Sequence, residues 1–449
     1  MLSREENELL CRVGPGTPMG NLLREYWMPA LISSEVQADG TVRKIRLLGE
    51  DLITWRDSEG RVSVMEENCP HRGSSLIIGR NEESGLRCVY HGWKFDVEGR
   101  CMEMPSEPPT SQFKNKVRIK AYRCRERNGI VWVYMGPRQD HPPALPDMEV
   151  NLAPIQGGEP FKYVRECNWV QALEGDIDTV HINFLHTRID PKWYSQGRFS
   201  ESNRLHQADR NPRLEIMDTP YGMYYGAIRE AGDRYYVRIT QFVMPFYTMV
   251  TGPGGKVWIP IDDESTLVME WSPSRPADMP QDYDDSANML GARQPWGYEP
   301  DNPYIPWGNW QIKANPSNYW RRDPALEKDK LYLGIYSNPL QDSAVQVLMG
   351  RLFDRTREHL GTTDAAIIKV RRILINAAKA LRDKKELPPT VDDPALYRVR
   401  GTMALLPRDK PWIETTEEWL KAFSEGPPPE YAVAGPRGPV RTLEPVAAE

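Results

Sequence analysis

The chain lacks long apolar runs and contains few cysteines and histidines. Its 449 residues include 6 cysteines and 7 histidines, and its mean hydropathy is −0.61. It has no run of the ~18 apolar residues that a transmembrane helix requires, and its first residues lack the apolar segment of a signal peptide. These absences exclude a helical membrane protein and lead us to expect a cytoplasmic one.

Neither sign of charge dominates the sequence. The 57 basic and 63 acidic side chains leave a formal net charge of −6, which excludes a strongly basic nucleic-acid-binding surface. The cysteines outside the motif described next show no paired framework, so we expect buried thiols rather than disulfides. The length is sufficient for two or three domains with a substantial core.

The chain does contain two short cysteine–histidine motifs. Residues 69–73 read Cys-Pro-His-Arg-Gly, and residues 88–93 read Cys-Val-Tyr-His-Gly-Trp. A structural zinc site can use two cysteines and two histidines, but zinc knuckles usually take like ligands in pairs. The mixed pairs favour a Rieske [2Fe–2S] centre, in which two cysteines hold one iron and two histidines hold the other. The predicted ligands are Cys69, His71, Cys88 and His91.

Neither loop contains a further cysteine. Rieske proteins of respiratory complexes carry an additional cysteine in each loop, and the two form a disulfide. This chain has Ser74 and Tyr90 at the matching positions. The motif therefore resembles that of the Rieske oxygenases, whose second metal centre is a mononuclear iron.

The expected second centre directs attention to His181 and His186. Fe(II) in such enzymes is held by two histidines and one carboxylate, which leaves positions free for O₂ and substrate. Histidines five residues apart do not share one face of a straight helix, so the helix must end or bulge within residues 182–185. The pattern alone is weak, and two ordinary histidines remain its alternative. Asp178 would share the helical face of His181.

The carboxylate ligand must come from further along the chain. The candidates are Asp342, Asp354 and Asp364. Asp342 opens a predicted helix that would let it point inward, whereas Asp354 lies among arginines and is expected to pair with one of them. We therefore predict that Asp342 is the third ligand.

Residues 174–186 resemble the mononuclear-iron segment of the Rieske non-heme iron aromatic ring-hydroxylating oxygenases. The N-terminal stretches 13–20 and 24–27 are similar to those of the large (alpha) subunits of the phthalate 4,5-dioxygenase group. Glu174 stands where naphthalene-type members have an asparagine near the metal, and it fits the phthalate-like group. The resemblance covers most of the chain and implies one [2Fe–2S] cluster and one mononuclear Fe(II) per chain.

The resemblance also implies an α+β fold, in which an N-terminal all-β Rieske domain precedes a helix-grip (START-like) catalytic domain with an antiparallel sheet. We divide the chain into a helical segment packing on the catalytic domain (1–39), the Rieske domain (40–136), a proline-rich connector (137–150), the catalytic domain (151–425) and an extended C-terminal tail (426–449). The local pattern predicts a capping box at Ser3, a strand over 116–122 and a hairpin turn at Asn128-Gly129. It also predicts helices from about Asn168, over 343–352 and over 363–381, and a long insertion from 273 to 323.

In the family, a reductase supplies electrons to the cluster, and we expect it to use NAD(P)H and to carry flavin and a plant-type [2Fe–2S] centre. The cluster of one chain faces the iron of the next within a homotrimer or stacked hexamer. The resemblance assigns Asp178 as the electron-transfer bridge between the partner subunit's His91 and His181 of its own chain. A surface or helix-capping carboxylate is the alternative for Asp178.

The expected function is the oxygenase component of a two-component system that uses O₂ to cis-dihydroxylate an aromatic carboxylate. On the predicted strand 235–242, Arg238 shares a face with Tyr236 and Thr240 and is the candidate carboxylate clamp, with pairing to a surface glutamate as its alternative. Hydroxylation with O- or N-demethylation of a methoxylated or N-methylated aromatic is the alternative reaction. A non-catalytic iron–sulfur electron-transfer protein is the alternative of another class, but it leaves the second predicted metal site unexplained.

Overall fold

The computed structural model describes residues 2–153, 160–189, 200–252, 254–271 and 297–433. The predicted insertion (273–323) and the predicted tail (426–449) therefore lie partly outside the described residues. The α-helices are α1 (Arg4–Cys11), α2 (Pro18–Arg24), α3 (Glu149–Leu152), α4 (Trp169–Ile177), α5 (Ser200–Ala208), α6 (Pro324–Asp329), α7 (Asn338–Leu348), α8 (Ala365–Lys384) and α9 (Trp412–Thr416). Short 3₁₀ turns lie between several of them.

The strands form three antiparallel sheets. Those of the N-terminal half are β1 (Trp27–Ile32), β2 (Arg43–Leu47), β3 (Glu50–Arg56), β4 (Val62–Glu66), β5 (Arg80–Glu82), β6 (Gly85–Arg87), β7 (Lys94–Phe95), β8 (Cys101–Glu103), β9 (Ala121–Arg127) and β10 (Ile130–Tyr134). Those of the C-terminal half are β11 (Phe161–Arg165), β12 (Arg213–Thr219), β13 (Gly222–Ala231), β14 (Arg234–Val243), β15 (Tyr247–Met249), β16 (Gly255–Pro260), β17 (Thr266–Trp271) and β18 (Thr402–Pro407).

The N-terminal half combines a six-stranded sheet, ordered β1-β10-β9-β4-β3-β2, with a small sheet of β5 to β8. The predicted hairpin turn is confirmed: Asn128 and Gly129 both have positive φ and join β9 to β10, as the twist of a two-residue hairpin requires. The strand Trp27–Ile32 belongs to this sheet, although the sequence analysis places it in a helical segment. The division into five segments stays a prediction.

The C-terminal half is built on one antiparallel sheet, ordered β11-β17-β16-β15-β14-β13-β12, with β18 pairing the first part of β14. The long helix α8 contacts β12 and β13. An all-β N-terminal half followed by a helix-covered antiparallel sheet confirms the predicted α+β class. None of the six cysteines forms a disulfide; of the four predicted to be buried thiols, Cys11, Cys101 and Cys167 are buried and Cys124 is half-buried. The described helices include none with both the length and the apolar content that crossing a membrane demands.

Several predicted boundaries are wrong by a few residues. The helix predicted over 343–352 runs over Asn338–Leu348, because Pro339 fits the first turn of a helix, where its missing N–H costs nothing. The strand predicted over 116–122 begins only at Ala121, since a 3₁₀ turn occupies Phe113–Lys116. The predicted capping box is confirmed, with Ser3 and Glu6 exchanging bonds at the start of α1.

Candidate metal centres

The two cysteine–histidine loops share one backbone design. In each, the N–H four residues after the cysteine donates to the cysteine carbonyl at 2.9 Å, from Gly73 to Cys69 and from Gly92 to Cys88. Both glycines have positive φ, +73° and +75°, a conformation that suits glycine because it has no Cβ. The loops therefore fold back in the same way and present their ligand pairs toward one another.

The four predicted cluster ligands converge at the tips of these loops. Cys69 and Cys88 are each only 2% exposed, and burial together with the Cys88 thiol raises the pKa of Cys69 to about 11. The rings of His71 and His91 lie 4.4 Å apart between centroids. The Nδ1 atoms of both histidines are buried and have no hydrogen-bond partner in the part of the chain that the structure describes. Two neighbouring imidazoles with orphaned Nδ1 atoms and two neighbouring buried thiols supply the donor set of a [2Fe–2S] centre of the Rieske type.

The second candidate site begins where α4 ends. Asn168 caps this helix by accepting from the N–H of Val170 at 3.1 Å, and the last helical residue is Ile177. The helix stops because Asp178 adopts an extended conformation. The break therefore precedes both histidines, and the prediction of a break within residues 182–185 is wrong. His181 instead starts a single 3₁₀ turn, His181–Asn183.

The structure brings His181, His186 and Asp342 together. The Nε2 atoms of the two histidines are 3.1 Å apart, and Oδ1 of Asp342 lies 3.6 Å from Nε2 of His181 and 3.2 Å from Nε2 of His186. Ligand atoms about 3 Å apart are what a metal bonded to each at ~2.1 Å would produce at right angles. Among the described residues, this is the one group of three potential ligands whose atoms all lie within 4.8 Å of one another.

The electrostatics of the three residues suit a cation. Burial alone would raise the pKa of Asp342, but the imidazoles of His186 and His181 and the guanidinium of Arg165 together hold it far below its usual value. Asp342 is therefore a carboxylate at neutral pH. Two imidazoles and one carboxylate form the donor set of non-heme Fe(II) oxygenases, so these residues fit the expected iron.

The other two candidate carboxylates serve local turns. Asp354 accepts from the N–H and the hydroxyl of Thr356, so it caps a turn instead of pairing with an arginine as the sequence analysis expected. Asp364 accepts from the N–H of Gly361 at 2.7 Å. Neither belongs to the three-residue group around the histidines.

Asp178 lies directly beside His181 but not on a shared helical face, since neither is part of α4. Its Oδ1 accepts from the N–H of Val180 at 2.7 Å and from the N–H of His181 at 3.2 Å. Its Oδ2 is 3.7 Å from Nδ1 of His181, and the Asp178 side chain remains 29% exposed. One carboxylate oxygen is thus occupied within the loop, while the other faces the histidine, in a side chain that is partly exposed.

Glu174 anchors α4 instead of approaching the metal site. Its carboxylate accepts from Arg371 at 2.6 Å and from Arg355 at 3.3 Å, and both guanidinium groups are buried. Burial would raise the pKa of Glu174, but the two arginines lower it. This buried pairing fixes the helix that leads into Asp178 and His181.

Arg238 points toward the iron-site loop. Its side chain is buried and donates to Oγ1 of Thr179 at 3.1 Å. No carboxylate lies within ion-pair distance of it among the residues described, and its role as a carboxylate clamp stays a prediction. Arg229, on the neighbouring strand, donates to the carbonyl of Thr179 at 3.0 Å. The loop between α4 and the His181 turn is thus held by two buried guanidinium groups.

Sequence reasoning missed two residues of this site. Thr179 accepts hydrogen bonds from Arg238 and Arg229. Oε1 of Gln341 lies 2.6 Å from Nδ1 of His186. Their position next to a predicted site residue could have indicated both: Thr179 follows Asp178, and Gln341 precedes Asp342. Polar residues next to a ligand often contact a neighbouring ligand, since buried polar groups need partners.

Comparisons with known proteins agree with this geometry. A family model described as Rieske [2Fe-2S] domain matches residues 26–118, and one described as LigXa C-terminal domain like matches residues 133–427. The chain is 38% identical over 434 residues to the 3-chlorobenzoate-3,4-dioxygenase oxygenase subunit of Comamonas testosteroni, covering 94% of this chain and 100% of the relative. It is 36% identical over 454 residues to the phthalate 4,5-dioxygenase oxygenase subunit of Pseudomonas putida, covering 96% and 100%.

A third relative is the 5,5'-dehydrodivanillate O-demethylase oxygenase subunit of a Sphingobium species, 32% identical over 415 residues and covering 89% of this chain and 85% of the relative. Among solved structures, that of dicamba monooxygenase bound to dicamba covers 81% of this chain and 99% of its own with a TM-score of 0.53 at 15% identity, which shows a shared fold.

These matches extend over the catalytic half as well as the Rieske half, so the alternatives of a zinc module and of a stand-alone electron-transfer protein are wrong. A Rieske [2Fe–2S] cluster and a mononuclear iron are the cofactors of such proteins, as predicted. The chain therefore belongs to the Rieske non-heme iron ring-hydroxylating oxygenases, as an oxygenase (large) subunit of the phthalate 4,5-dioxygenase-like group.

Proposed function

We propose that this oxygenase cis-dihydroxylates an aromatic carboxylate of the phthalate or benzoate type. The observation that carries the proposal is Arg238, a buried guanidinium beside the candidate iron loop. Among the described residues Arg238 has no carboxylate partner, and a buried cation is costly unless an anion joins it. A guanidinium can bind a carboxylate through two parallel hydrogen bonds. A substrate carboxylate at Arg238 would complete this pairing.

The names of the relatives support the same substrate class. Chlorobenzoate and phthalate are named as substrates of the first two relatives, and both are aromatic carboxylates. Arg238 contacts Thr179, which lies between Asp178 and His181 in the chain. A carboxylate held there would place the attached ring near the three candidate iron ligands.

When bound, the cluster supplies electrons and the iron activates O₂ for attack on the ring. The chain's own residues do the positioning. His181, His186 and Asp342 would hold the iron as its three protein ligands, the donor set of enzymes that activate O₂ at Fe(II). The cluster ligands would be Cys69, His71, Cys88 and His91.

Electron transfer between the two sites would cross a subunit interface in a homotrimer or a stacked hexamer. Each candidate site is bordered by exposed apolar side chains, which indicate contact surfaces. Ile78, Val89, Tyr90 and Phe113 lie near the cluster loops, and Phe184, Ile189 and Tyr332 lie near the iron loop. Two different patches that meet between copies form a heterologous contact, which generates a closed ring when the rotation between copies closes.

Asp178 would be the bridge across this interface. Its Oδ2 is free of backbone partners and faces His181, and it would accept from the partner subunit's His91. Electrons would reach the cluster from an NAD(P)H-dependent reductase with flavin and a plant-type [2Fe–2S] centre. Such multicomponent systems are what the oxygenase-subunit names of the relatives indicate.

Hydroxylation with O- or N-demethylation is the second candidate reaction. It is favoured by the relative named as an O-demethylase subunit, whose named substrate is also an aromatic carboxylate. The Arg238 contact serves both reactions equally, because it binds the carboxylate and not the group that reacts.

The test compares Arg238→Gln with the wild type on benzoate, phthalate and methoxybenzoate, with NADH and a phthalate-type reductase. A hydrogen bond to a charged group contributes about 1.5–3 kcal/mol, so we expect KM for the carboxylates to rise ~10–200-fold with a smaller change in kcat. Arg234→Gln is the matched control, since Arg234 lies on the same strand but donates to the carbonyl of Glu430.

The corresponding benzamide, which has no negative charge, should be affected little by Arg238→Gln. An equal loss on benzoate and benzamide would contradict the carboxylate clamp. Cis-dihydrodiol as product from benzoate or phthalate would support dioxygenation, whereas formaldehyde release from methoxybenzoate without any diol would select demethylation.

A further inference from the structure

His186 is held by one side chain through the ring nitrogen that faces away from the candidate metal. Its Nδ1 lies 2.6 Å from Oε1 of Gln341, and Nε2 of Gln341 donates to the carbonyl of Ile335 at 2.7 Å. Gln341 is 2% exposed, so water does not compete for either bond. Its amide is therefore fixed at both ends.

The chemistry of these partners determines which nitrogen of His186 carries the proton. A backbone carbonyl only accepts, so the NH₂ group of Gln341 must face Ile335 and its Oε1 must face His186. An amide oxygen also only accepts, so Nδ1 of His186 must be the N–H donor. In a neutral imidazole this leaves the lone pair on Nε2, the atom that lies 3.2 Å from Oδ1 of Asp342.

His181 is not fixed in this way. Its Nδ1 is 3.7 Å from the nearest Asp178 oxygen, beyond hydrogen-bond distance, and is a buried atom without a hydrogen-bond partner among the described residues. The two histidines thus differ in the partner of Nδ1: His186 has an amide oxygen at 2.6 Å, whereas His181 has a carboxylate oxygen at 3.7 Å.

We propose that Gln341 is a positioning residue for the mononuclear iron: it holds His186 in the Nδ1–H tautomer. The inference rests on the iron ligands proposed above. Partners of this kind orient the ring and raise the basicity of the ligand, and their loss typically weakens metal binding ~10–100-fold.

The experiment measures Co(II) binding to the full-length protein after a mild chelator has removed the mononuclear metal and left the cluster absorbance unchanged. The variants are Gln341→Leu, which removes both bonds, and Gln341→Glu, which keeps an acceptor for His186 but loses the donor to Ile335. The matched control is Gln241→Leu. Gln241 is also buried, and it accepts from the Tyr221 hydroxyl at 2.6 Å and donates to the Arg400 carbonyl at 2.7 Å.

We expect Gln341→Leu to raise the Kd for Co(II) ~10–100-fold, and Gln341→Glu and Gln241→Leu to leave it within a few-fold of the wild type. If Gln341→Glu weakened Co(II) binding as much as Gln341→Leu, the residue would act only through its hydrogen bond to the Ile335 carbonyl, and the inference would be overturned. Wild-type affinity in Gln341→Leu would overturn it as well.

His186→Ala separates this failure from failure of the ligand assignment. If His186→Ala abolishes Co(II) binding while Gln341→Leu binds normally, the ligand assignment stands and only the role of Gln341 is wrong. If His186→Ala binds Co(II) like the wild type, the ligand assignment itself is wrong, and the role of Gln341 falls with it.

Discussion

The two candidate metal centres are assembled in opposite ways. The cluster ligands come from two loops close in sequence, with the same backbone turn, a glycine at the same position and buried cysteines. The iron ligands come from an irregular segment after α4 and from a helix far along the chain. The cluster site is therefore determined by local sequence, whereas the iron site depends on the packing of α4 against α7.

This difference explains the supporting residues around each centre. The loops around the cluster are held by residues close to them in sequence. Asn68 donates to the carbonyl of Gly73, Arg87 donates to the carbonyl of Gly92, and the ring of Trp93 stacks on His71 at 4.2 Å between centroids. The iron site needs Glu174 with its two arginines to hold α4, Gln341 to hold His186 and Thr179 to hold the loop. A site assembled from distant segments requires more contacts to fix its geometry.

The largest effects are expected from variants that each remove one metal centre. Cys88→Ser should eliminate the visible absorbance and lower the iron content from about three to about one per chain. Asp342→Ala should keep the absorbance and lower the iron to about two. Each variant alone should lack oxygenase activity, because each loses a centre that the reaction needs.

Mixing the two variants during refolding or co-expression tests the proposed subunit crossing. If electrons pass between chains, mixed oligomers contain an intact cluster facing an intact iron, and activity should return in part. No recovery in oligomers shown to be mixed would contradict transfer across the interface.

A smaller effect is expected when both centres remain and only their proposed connection is changed. Asp178→Asn keeps an oxygen for the Val180 N–H but loses the charge that faces His181. We expect reoxidation of the dithionite-reduced cluster by O₂ and substrate to slow ~10–100-fold, with iron content unchanged. Stopped-flow absorbance measures this rate.

Asp176→Asn is the control for Asp178→Asn, because it removes a charge two residues earlier that pairs with Lys256 at 2.8 Å. It should change stability without slowing cluster reoxidation. Equal slowing by both variants would indicate a general effect of disturbing α4 and not a bridge.

The smallest effect is expected from alanine at the corresponding glycines of the two cysteine–histidine loops. Gly73 and Gly92 both have positive φ, so alanine at either position should cost ~1 kcal/mol. An added Cβ at Gly73 meets no atom within 4 Å, whereas at Gly92 it would lie 2.7 Å from Cγ of Pro105. Gly92→Ala should therefore lower the temperature of cluster bleaching more than Gly73→Ala, and equal shifts would contradict this difference.

The contrast between a cluster site determined by local sequence and an iron site built from distant segments also explains which features could be predicted from the sequence. The hairpin at Asn128 and the convergence of the two cysteine–histidine loops follow from short motifs whose geometry is local, whereas the α+β class was implied by the family resemblance. The end of α4 at Ile177 was misplaced because it depends on how Asp178 bonds to the following backbone N–H groups. The roles of Thr179 and Gln341 could not be predicted, since their partners lie on other elements that only the folded chain brings near.

The most direct test of the account is an iron analysis of the purified protein together with its absorption spectrum before and after dithionite. We predict about three irons per chain and a red-brown spectrum that dithionite bleaches, since two irons belong to a reducible cluster and one to His181, His186 and Asp342. A bleachable protein with about two irons, in which added Fe(II) restores no oxygen uptake, would contradict the second centre. A colourless protein containing zinc would contradict both.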